Sequence, residues 1–244
     1  MALLYNEVPF AVMMATPADL EDFALGFSLS EGMIATQDQL ESVELRPRLE
    51  GIELAMRLSS SARGFALGSD QQRLLPGRSG CGLCGTRTLE QVVRQPAAVA
   101  AGVQVTEAAL ESALEALRDR QAINTLTGAV HAAAWATADG AITLVREDVG
   151  RHNALDKLIG AMCLAGIDAR TGFALITSRA SYEMVTKAAS AGITLLAAIS
   201  APTALAVQLA QSAGLTLVGF ARPGQHVVYS HPQRLAASIG DAVA

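Results

Sequence analysis

The stretch FALITSRASYEMVTKAASAGITLLAAIS, Phe173–Ser200, decides the fold class of this chain. Phe173 to Ile176 and Ile193 to Ile199 are continuous apolar runs of strand length. Between them, Tyr182 to Ala191 reads as a helix stopped by Gly192. Strands without apolar–polar alternation are buried on both faces, the condition of parallel strands covered by helices. The rhythm continues downstream. Pro202-Thr203 opens a helix from Leu205 to Ala213, Gly214 stops it, and strands follow at Leu215 to Phe220 and Val227 to Tyr229. Upstream, a helix from Asn153 to Leu164 carries Leu155, Leu158, Ile159 and Met162 on one face and stops at Gly166. Before it, strand-like runs Val130 to Ala136 and Ile142 to Val145 flank the hairpin signal Asp139-Gly140. A helix from Thr106 to about Asp119 places Leu110, Ala113, Leu114 and Leu117 at helical spacing.

The first part of the chain has a different grammar. Val8 to Met14 reads as a strand. Thr16-Pro17-Ala18-Asp19 reads as a helix start, with Thr16 capping, Pro17 in the first position and Asp19 near the positive end. Leu20, Phe23, Ala24 and Phe27 then share a face, and Gly32 ends the helix. Leu40 to Leu45 and Ile52 to Leu58, split by Arg46-Pro47 and Gly51, read as a hairpin. The expected class is therefore α/β. Residues 1–75 form a small α+β unit, 76–100 a cysteine loop with a connecting helix, and 101–244 the larger α/β domain.

Composition narrows the function. Of 244 residues, 51% are hydrophobic and 17% charged, which specifies a filled core and excludes disorder. A net charge of −5 and 4% aromatics argue against nucleic acid as a partner. No uninterrupted apolar run approaches the roughly 18 residues of a membrane span. Met1 to Tyr5 lacks the basic region and cleavage pattern of a secretory signal. Three cysteines without such a signal point to free thiols in the reducing cytoplasm.

Two of those cysteines stand in Gly80-Cys81-Gly82-Leu83-Cys84-Gly85; the third, Cys163, lies in an apolar helical pattern. Glycine on every side frees the backbone and clears space around a sulfur that another molecule must reach. A structural zinc site needs about four ligands, and neither a second CxxC nor an HxxxH pair is present, so no metal is expected. A thioredoxin-type dithiol would sit at a helix start, and Thr86 to Gln95, with Leu89, Val92 and Val93 on one face, supplies that pattern. Redox chemistry, sulfur transfer and an inert pair of loop residues all remain open on spacing alone.

Polar residues collect after the strands of the larger domain. The segments are Arg146-Glu147-Asp148-Val149-Gly150-Arg151-His152-Asn153, Thr177-Ser178-Arg179-Ala180-Ser181, Ser200-Ala201-Pro202-Thr203 and Arg222-Pro223-Gly224-Gln225. In an open α/β sheet such loops share the carboxyl edge, where ligands bind. Ser181 and Thr203 stand where helix caps belong, and any one of these loops alone reads as structural. Four on one edge, with Arg146, Arg151, Arg179 and Arg222 available to phosphate, indicate a site for an anion.

These segments together resemble FdhD, the formate dehydrogenase accessory sulfur-carrier family. The likeness rests on Gly77 to Gly85, Thr127-Gly128-Ala129-Val130-His131-Ala132-Ala133, the long run Val145 to Lys157, and Ser178 to Met184. Ala24-Leu25-Gly26-Phe27 and Glu31-Gly32 add to it, and the family's N-terminal extension is expected to be missing here. The resemblance implies a cytidine deaminase-like three-layer α/β fold with a mixed sheet for the larger domain, and a cytoplasmic homodimer. It implies a sulfurtransferase that takes persulfide sulfur from a cysteine desulfurase. The sulfur passes to the molybdenum cofactor, a bis-molybdopterin guanine dinucleotide, before that cofactor enters formate dehydrogenase. No cofactor is permanently bound in this reading; the dinucleotide is a bound substrate, with guanine nucleotides as analogues. Carried over by position, Cys81 is the persulfide carrier with Cys84 beside it, and Phe220, Ala221, Arg222, Pro223, Gly224 and Gln225 bind the cofactor. Arg78 and the helix start near Thr86 would favour the thiolate. The deaminase zinc signature H-x-E with P-C-x-x-C is absent, because Gly80 precedes Cys81, so deamination is not expected. A chaperone that holds the cofactor without moving sulfur is the alternative reading.

Overall fold

The structure, a computed structural model, describes residues 1–66, 75–76 and 95–236. The connecting segment with Cys81 and Cys84 lies outside the described residues.

The N-terminal unit opens with two strands, β1 (Ala2–Tyr5) and β2 (Val8–Val12), the helix α1 (Leu20–Ser30), and the hairpin β3 (Leu40–Arg48) and β4 (Gly51–Leu58). With β5 (Leu75–Pro76) the strands form a five-stranded sheet in the order β3-β4-β1-β2-β5. β1 is antiparallel to β2 and parallel to β4, a mixed arrangement. Sequence reading missed β1, because the four residues Ala2 to Tyr5 carry no alternation, although Asn6 marks the turn that follows them. The α1 stripe lies where its period places it: Phe23, Ala24 and Phe27 pack with Leu3, Leu54, Met56 and Leu58.

Then come β6 (Val105–Thr106), α2 (Glu107–Arg118), α3 (Ala122–Thr127), β7 (His131–Thr137), β8 (Ile142–Asp148), α4 (Arg151–Leu164), β9 (Gly172–Ile176), α5 (Tyr182–Ser190), β10 (Leu195–Ala198), α6 (Ala204–Ala213), β11 (Thr216–Arg222), β12 (Gln225–Ser230) and β13 (Leu235–Ala236). The main sheet has six strands in the order β12-β11-β10-β9-β7-β8. β9, β10 and β11 are mutually parallel, while β7 and β12 run against them. β13 pairs with β6 in a small separate ladder.

Side-chain alternation on each buried strand feeds two cores. Ala174, Ile176, Leu196 and Ala198 face α4, α5 and α6 through Leu155, Leu158, Met184, Val185 and Leu209. Phe173, Leu175, Leu195 and Ala197 face α2 through Leu110, Ala113, Leu114 and Leu117. Helices on both faces of a mixed sheet give the expected three layers. The fold is mixed α/β throughout.

The first helix departs from its expected start. α1 begins at Leu20, and its cap position is Asp19 in a left-handed conformation (φ 53°) without a side-chain cap bond. Thr16 is used elsewhere. Its hydroxyl accepts from Val149 N, its amide donates to Asp148 Oδ2, and its carbonyl accepts from Lys157 Nζ. Thr16 thus ties the N-terminal unit to the end of β8. A second tie is the crossing of α1 with α4. A Cβ on Gly26 would stand 1.7 Å from Asp156 O, and one on Gly160 would stand 1.9 Å from Asp22 O. Only glycine lets the two backbones approach this closely.

Candidate functional site

β8 runs against β7, and β7 runs against β9, so β8 points the same way as β9, β10 and β11. Their carboxyl ends share one edge of the sheet, as the sequence implied. The loops there are joined to one another. Thr203 N donates to Ala180 O at 2.9 Å, Phe220 N donates to Ser200 O at 3.2 Å, and Ala180 bridges Pro202.

The end of β8 is strand rather than the polar loop that the sequence suggested. Arg146, Glu147 and Asp148 are strand residues paired with Ala133, Ala132 and His131. Arg146 Nε donates to Asp22 Oδ2 at 2.6 Å, so this arginine is spent on α1 and is not available to phosphate. Glu147 is buried and accepts the Ile123 and Asn124 amides at the start of α3, a helix that sequence reading missed. The fully buried Asp148 accepts from Thr16 N, Gly150 N and Asn153 Nδ2, and pairs with Lys157 Nζ at 2.7 Å. These charges build the edge rather than greet a ligand.

What remains at the edge has a different character. α4 starts at Arg151 behind Gly150, and α5 starts at Tyr182 behind Ser181, whose hydroxyl makes no cap bond. Thr203, by contrast, caps α6 as expected by accepting Ala206 N. Arg151 Nε, His152 Nε2 and Ser181 Oγ are buried atoms without a hydrogen-bond partner among the described residues. Burial, with the positive charges of Arg151 and Lys187, drives the His152 imidazole down to about 3, so the ring is neutral. Burial and Arg151 also lower His131. Arg179 and Arg222 are exposed.

The segment Phe220 to Gln225 forms the β11–β12 turn. Phe220 is half-buried and left-handed (φ 50°), beside a break in the β11–β12 register. A bulky residue held at positive φ stores strain, a property concentrated at ligand-binding segments. Ala221 is fully buried in the core, so only its backbone can meet a ligand. Arg222, Pro223, Gly224 and Gln225 are exposed. The turn is held to α2 by Gly224 N donating to Glu111 Oε1 at 3.2 Å and by His226 Nε2 at 3.6 Å from Glu107 Oε1.

Beneath the edge lies a second charged centre that sequence reading missed. Lys187 of α5 pairs with Asp156 of α4 and with Glu31 after α1, each at 2.9 Å, and Ser30 bridges the group. Its one sequence signal is a pair of charges, Asp156 and Lys187, on otherwise apolar helices. Away from the edge, Cys163 is half-buried, donates to Gln37, and has its thiol pushed up by burial. It lines a cavity of about 700 Å³ with Met162, Arg170 and Gly192. Cys81 and Cys84 lie outside the described residues. Among the described residues no His, Cys, Asp and Glu group suited to a metal ion occurs, and no helix is long and apolar enough to cross a membrane.

Residues 1–236 match the family model described as FdhD/NarQ family. The chain is 60% identical over 238 residues to a protein of Xanthomonas euvesicatoria pv. vesicatoria named sulfur carrier protein FdhD, covering 98% of this chain and 84% of that one. A Cupriavidus necator protein of the same name is 55% identical over 234 residues, covering 96% and 81%. Among solved structures, the chain is similar to a Desulfotalea psychrophila protein described as a candidate formate dehydrogenase accessory protein. That match has a TM-score of 0.71 at 23% identity and covers 96% of this chain and 87% of that one, a likeness of fold.

Proposed function

The chain belongs to the FdhD/NarQ family, and we propose that it is a cytoplasmic sulfur carrier working through Cys81. The observation that carries this reading is 60% identity, across 98% of the chain, to a protein named for that role. The glycine-flanked Cys81 and Cys84 supply the chemistry. The Cys81 thiolate attacks the outer sulfur of a persulfide on a cysteine desulfurase, the donor thiolate leaves, and Cys81 holds the sulfur as its own persulfide. Attack by Cys84 on the inner sulfur then releases the outer one as hydrosulfide and leaves a Cys81–Cys84 disulfide, which balances the electrons.

The acceptor in this reading is the molybdenum cofactor as bis-molybdopterin guanine dinucleotide, bound as substrate and passed on to formate dehydrogenase. The edge formed by β8 to β11 supports it, because exposed Arg179 and Arg222 suit phosphates. The Phe220 to Gln225 turn, strained at Phe220, offers an aromatic ring and an apolar proline for the base. A homodimer is part of the same proposal.

The test is mass spectrometry of the protein after incubation with a cysteine desulfurase and cysteine. A gain of about 32 Da on the Cys81 peptide, removed by reductant, is expected for a persulfide. Cofactor binding without any such adduct would assign the chain to the chaperone role instead. Disulfide turnover by both cysteines would assign it to dithiol oxidoreduction.

A further inference from the structure

Among the described residues, the five-stranded N-terminal sheet has a helix on one face only. Leu3, Tyr5, Leu54 and Met56 point to the face that packs against α1. On the other face, the register sets Ala2 beside Val12 and Glu53, and Leu4 beside Pro9 and Ala55. The two halves of this open face differ in character. Towards β3 and β4 it carries charges that satisfy one another: Arg46 pairs with Glu7 and Glu44, Arg48 with Glu53, and Arg57 with Glu41. Towards β2 the surface turns apolar. Val12 is 67% exposed, and Met14, two residues on, is 76% exposed. Val149, 45% exposed, stands beside them, because its amide donates to Thr16 Oγ1 while Asn153 Nδ2 donates to the Met14 carbonyl. A single exposed apolar side chain is ordinary, but neighbours that form a patch mark a surface for another molecule.

The chain beside the patch says which molecule. β5 pairs with β2, Ala11 with Leu75 and Val12 with Pro76. Cys81 follows Pro76 by five residues. An extended chain spans at most about 3.6 Å per residue, so Cys81 stays within about 18 Å of Pro76. A protein that hands sulfur to Cys81 must bring its own sulfur inside that radius. A standard interface covers about 800 Å² per partner, a disc roughly 30 Å across, which puts the β2 side of the open face within the span of such a protein. The acceptor differs in kind. A guanine dinucleotide is small and anionic, and an apolar patch offers its phosphates no cation. Two valines and a methionine suit the desolvated centre of a protein interface, where methionine is enriched and charge is depleted.

We propose that Val12, Met14 and Val149 form the docking surface for the protein that donates persulfide sulfur to Cys81. This rests on the sulfur-carrier reading and deepens it, since it sets the donor on the N-terminal sheet rather than beside Arg179 and Arg222.

Sulfur loading of the full chain from two donors tests the surface. One donor is a cysteine desulfurase with labelled cysteine. The other is glutathione persulfide, too small to need a docking surface. In both, the Cys81 thiolate takes the outer sulfur and the donor thiolate leaves. Met14→Glu and Val12→Glu place a charge at two exposed positions, and a Tm equal to wild type is expected. Calorimetry should show desulfurase binding weakened at least about tenfold, and KM for the desulfurase should rise by the same factor with kcat unchanged. Loading from glutathione persulfide should match wild type. Val227→Glu is the control, because Val227 is 42% exposed on β12, at the opposite edge of the main sheet from β8. It should bind and load as wild type does.

Desulfurase affinity within twofold of wild type in both β2-side variants would overturn the proposal. So would an equal loss of loading from both donors, which would place the defect at Cys81 itself. A loss in Val227→Glu as large as in Met14→Glu would overturn it as well. A change in the oligomeric state of Met14→Glu by light scattering would assign the patch to a second copy of the chain instead. Wild-type protein that binds the desulfurase yet gains sulfur from neither donor would sink the carrier reading, while the binding comparison still decides the surface.

Discussion

Replacing Lys187 with methionine removes the cation that joins α1, α4 and α5 beneath the edge. The ammonium contacts Asp156 Oδ2, Glu31 Oε1 and Ser30 Oγ, each at 2.9 Å, and lies 5.2 Å from the centre of the Phe27 ring. Its side chain is 9% exposed and that of Asp156 is 1% exposed, so solvent cannot take over the pairing. Removing one partner of a buried pair costs about 3–5 kcal/mol, because the other charge stays buried and uncompensated. Domain stabilities are about 5–15 kcal/mol, so the loss is readily measured. It should also depend on pH. Burial already raises Asp156 to about 6 against the opposing pull of Lys187, and loss of the cation raises it further. A carboxyl raised above its unfolded value favours folding in its protonated form. The deficit is therefore full at pH 7 and shrinks as the pH falls below the folded value. Urea denaturation at pH 7 and pH 4.5 reads both effects. The double variant Lys187→Met/Asp156→Leu should recover most of the loss, since an apolar pair of similar volume is often neutral. A deficit below about 1 kcal/mol at pH 7, or one equal at both pH values, would refute the reasoning.

His152 titrates in the opposite sense. Held at about 3, chiefly by burial, it binds fewer protons folded than unfolded, so stability falls as pH drops from about 6.5 towards 3. Its contribution to that loss by pH 4.5 is about 2–3 kcal/mol, and the acid side of the stability curve in His152→Gln should be shallower by that amount. Gly26→Ala drives a methyl into the Asp156 carbonyl and should cost at least about 2 kcal/mol by thermal or urea unfolding. An unchanged Tm would mean that α1 and α4 do not cross there. Arg222→Ala should weaken GDP binding ten- to hundredfold, from the roughly 1.5–3 kcal/mol of a charged hydrogen bond to phosphate. Calorimetry checks it, and unchanged affinity would remove Arg222 from the site.

The sheet and its helices were legible because their signals are local. Runs such as Leu195 to Ala198 have no polar face, and Gly166, Gly192 and Gly214 follow the helices as left-handed stops. The shared carboxyl edge followed from chain order alone. What sequence hid was the destination of its charges. Arg146 looks like a phosphate ligand until Asp22, far away in the chain, is seen to hold it. Glu147 reads as part of a polar loop until α3 is placed over it, and α3 itself offers six residues and no buried face to announce it. Thr16 carries the signature of a cap, yet the buried Asp148 and Lys157 claim its polar atoms. Long-range pairing of this kind has no period, so no window of sequence contains it.

The central claim, that sulfur moves through Cys81, is tested most directly by following labelled sulfur. The wild-type protein is loaded from labelled cysteine by a desulfurase, freed of donor, and mixed with the molybdenum guanine dinucleotide cofactor. Label should leave the protein and appear on the cofactor, and formate dehydrogenase receiving that cofactor should become active. Cys81→Ala, with a Tm expected to match wild type, should neither take up label nor deliver it. Label that stays on the protein, or delivery by Cys81→Ala equal to wild type, would contradict the account.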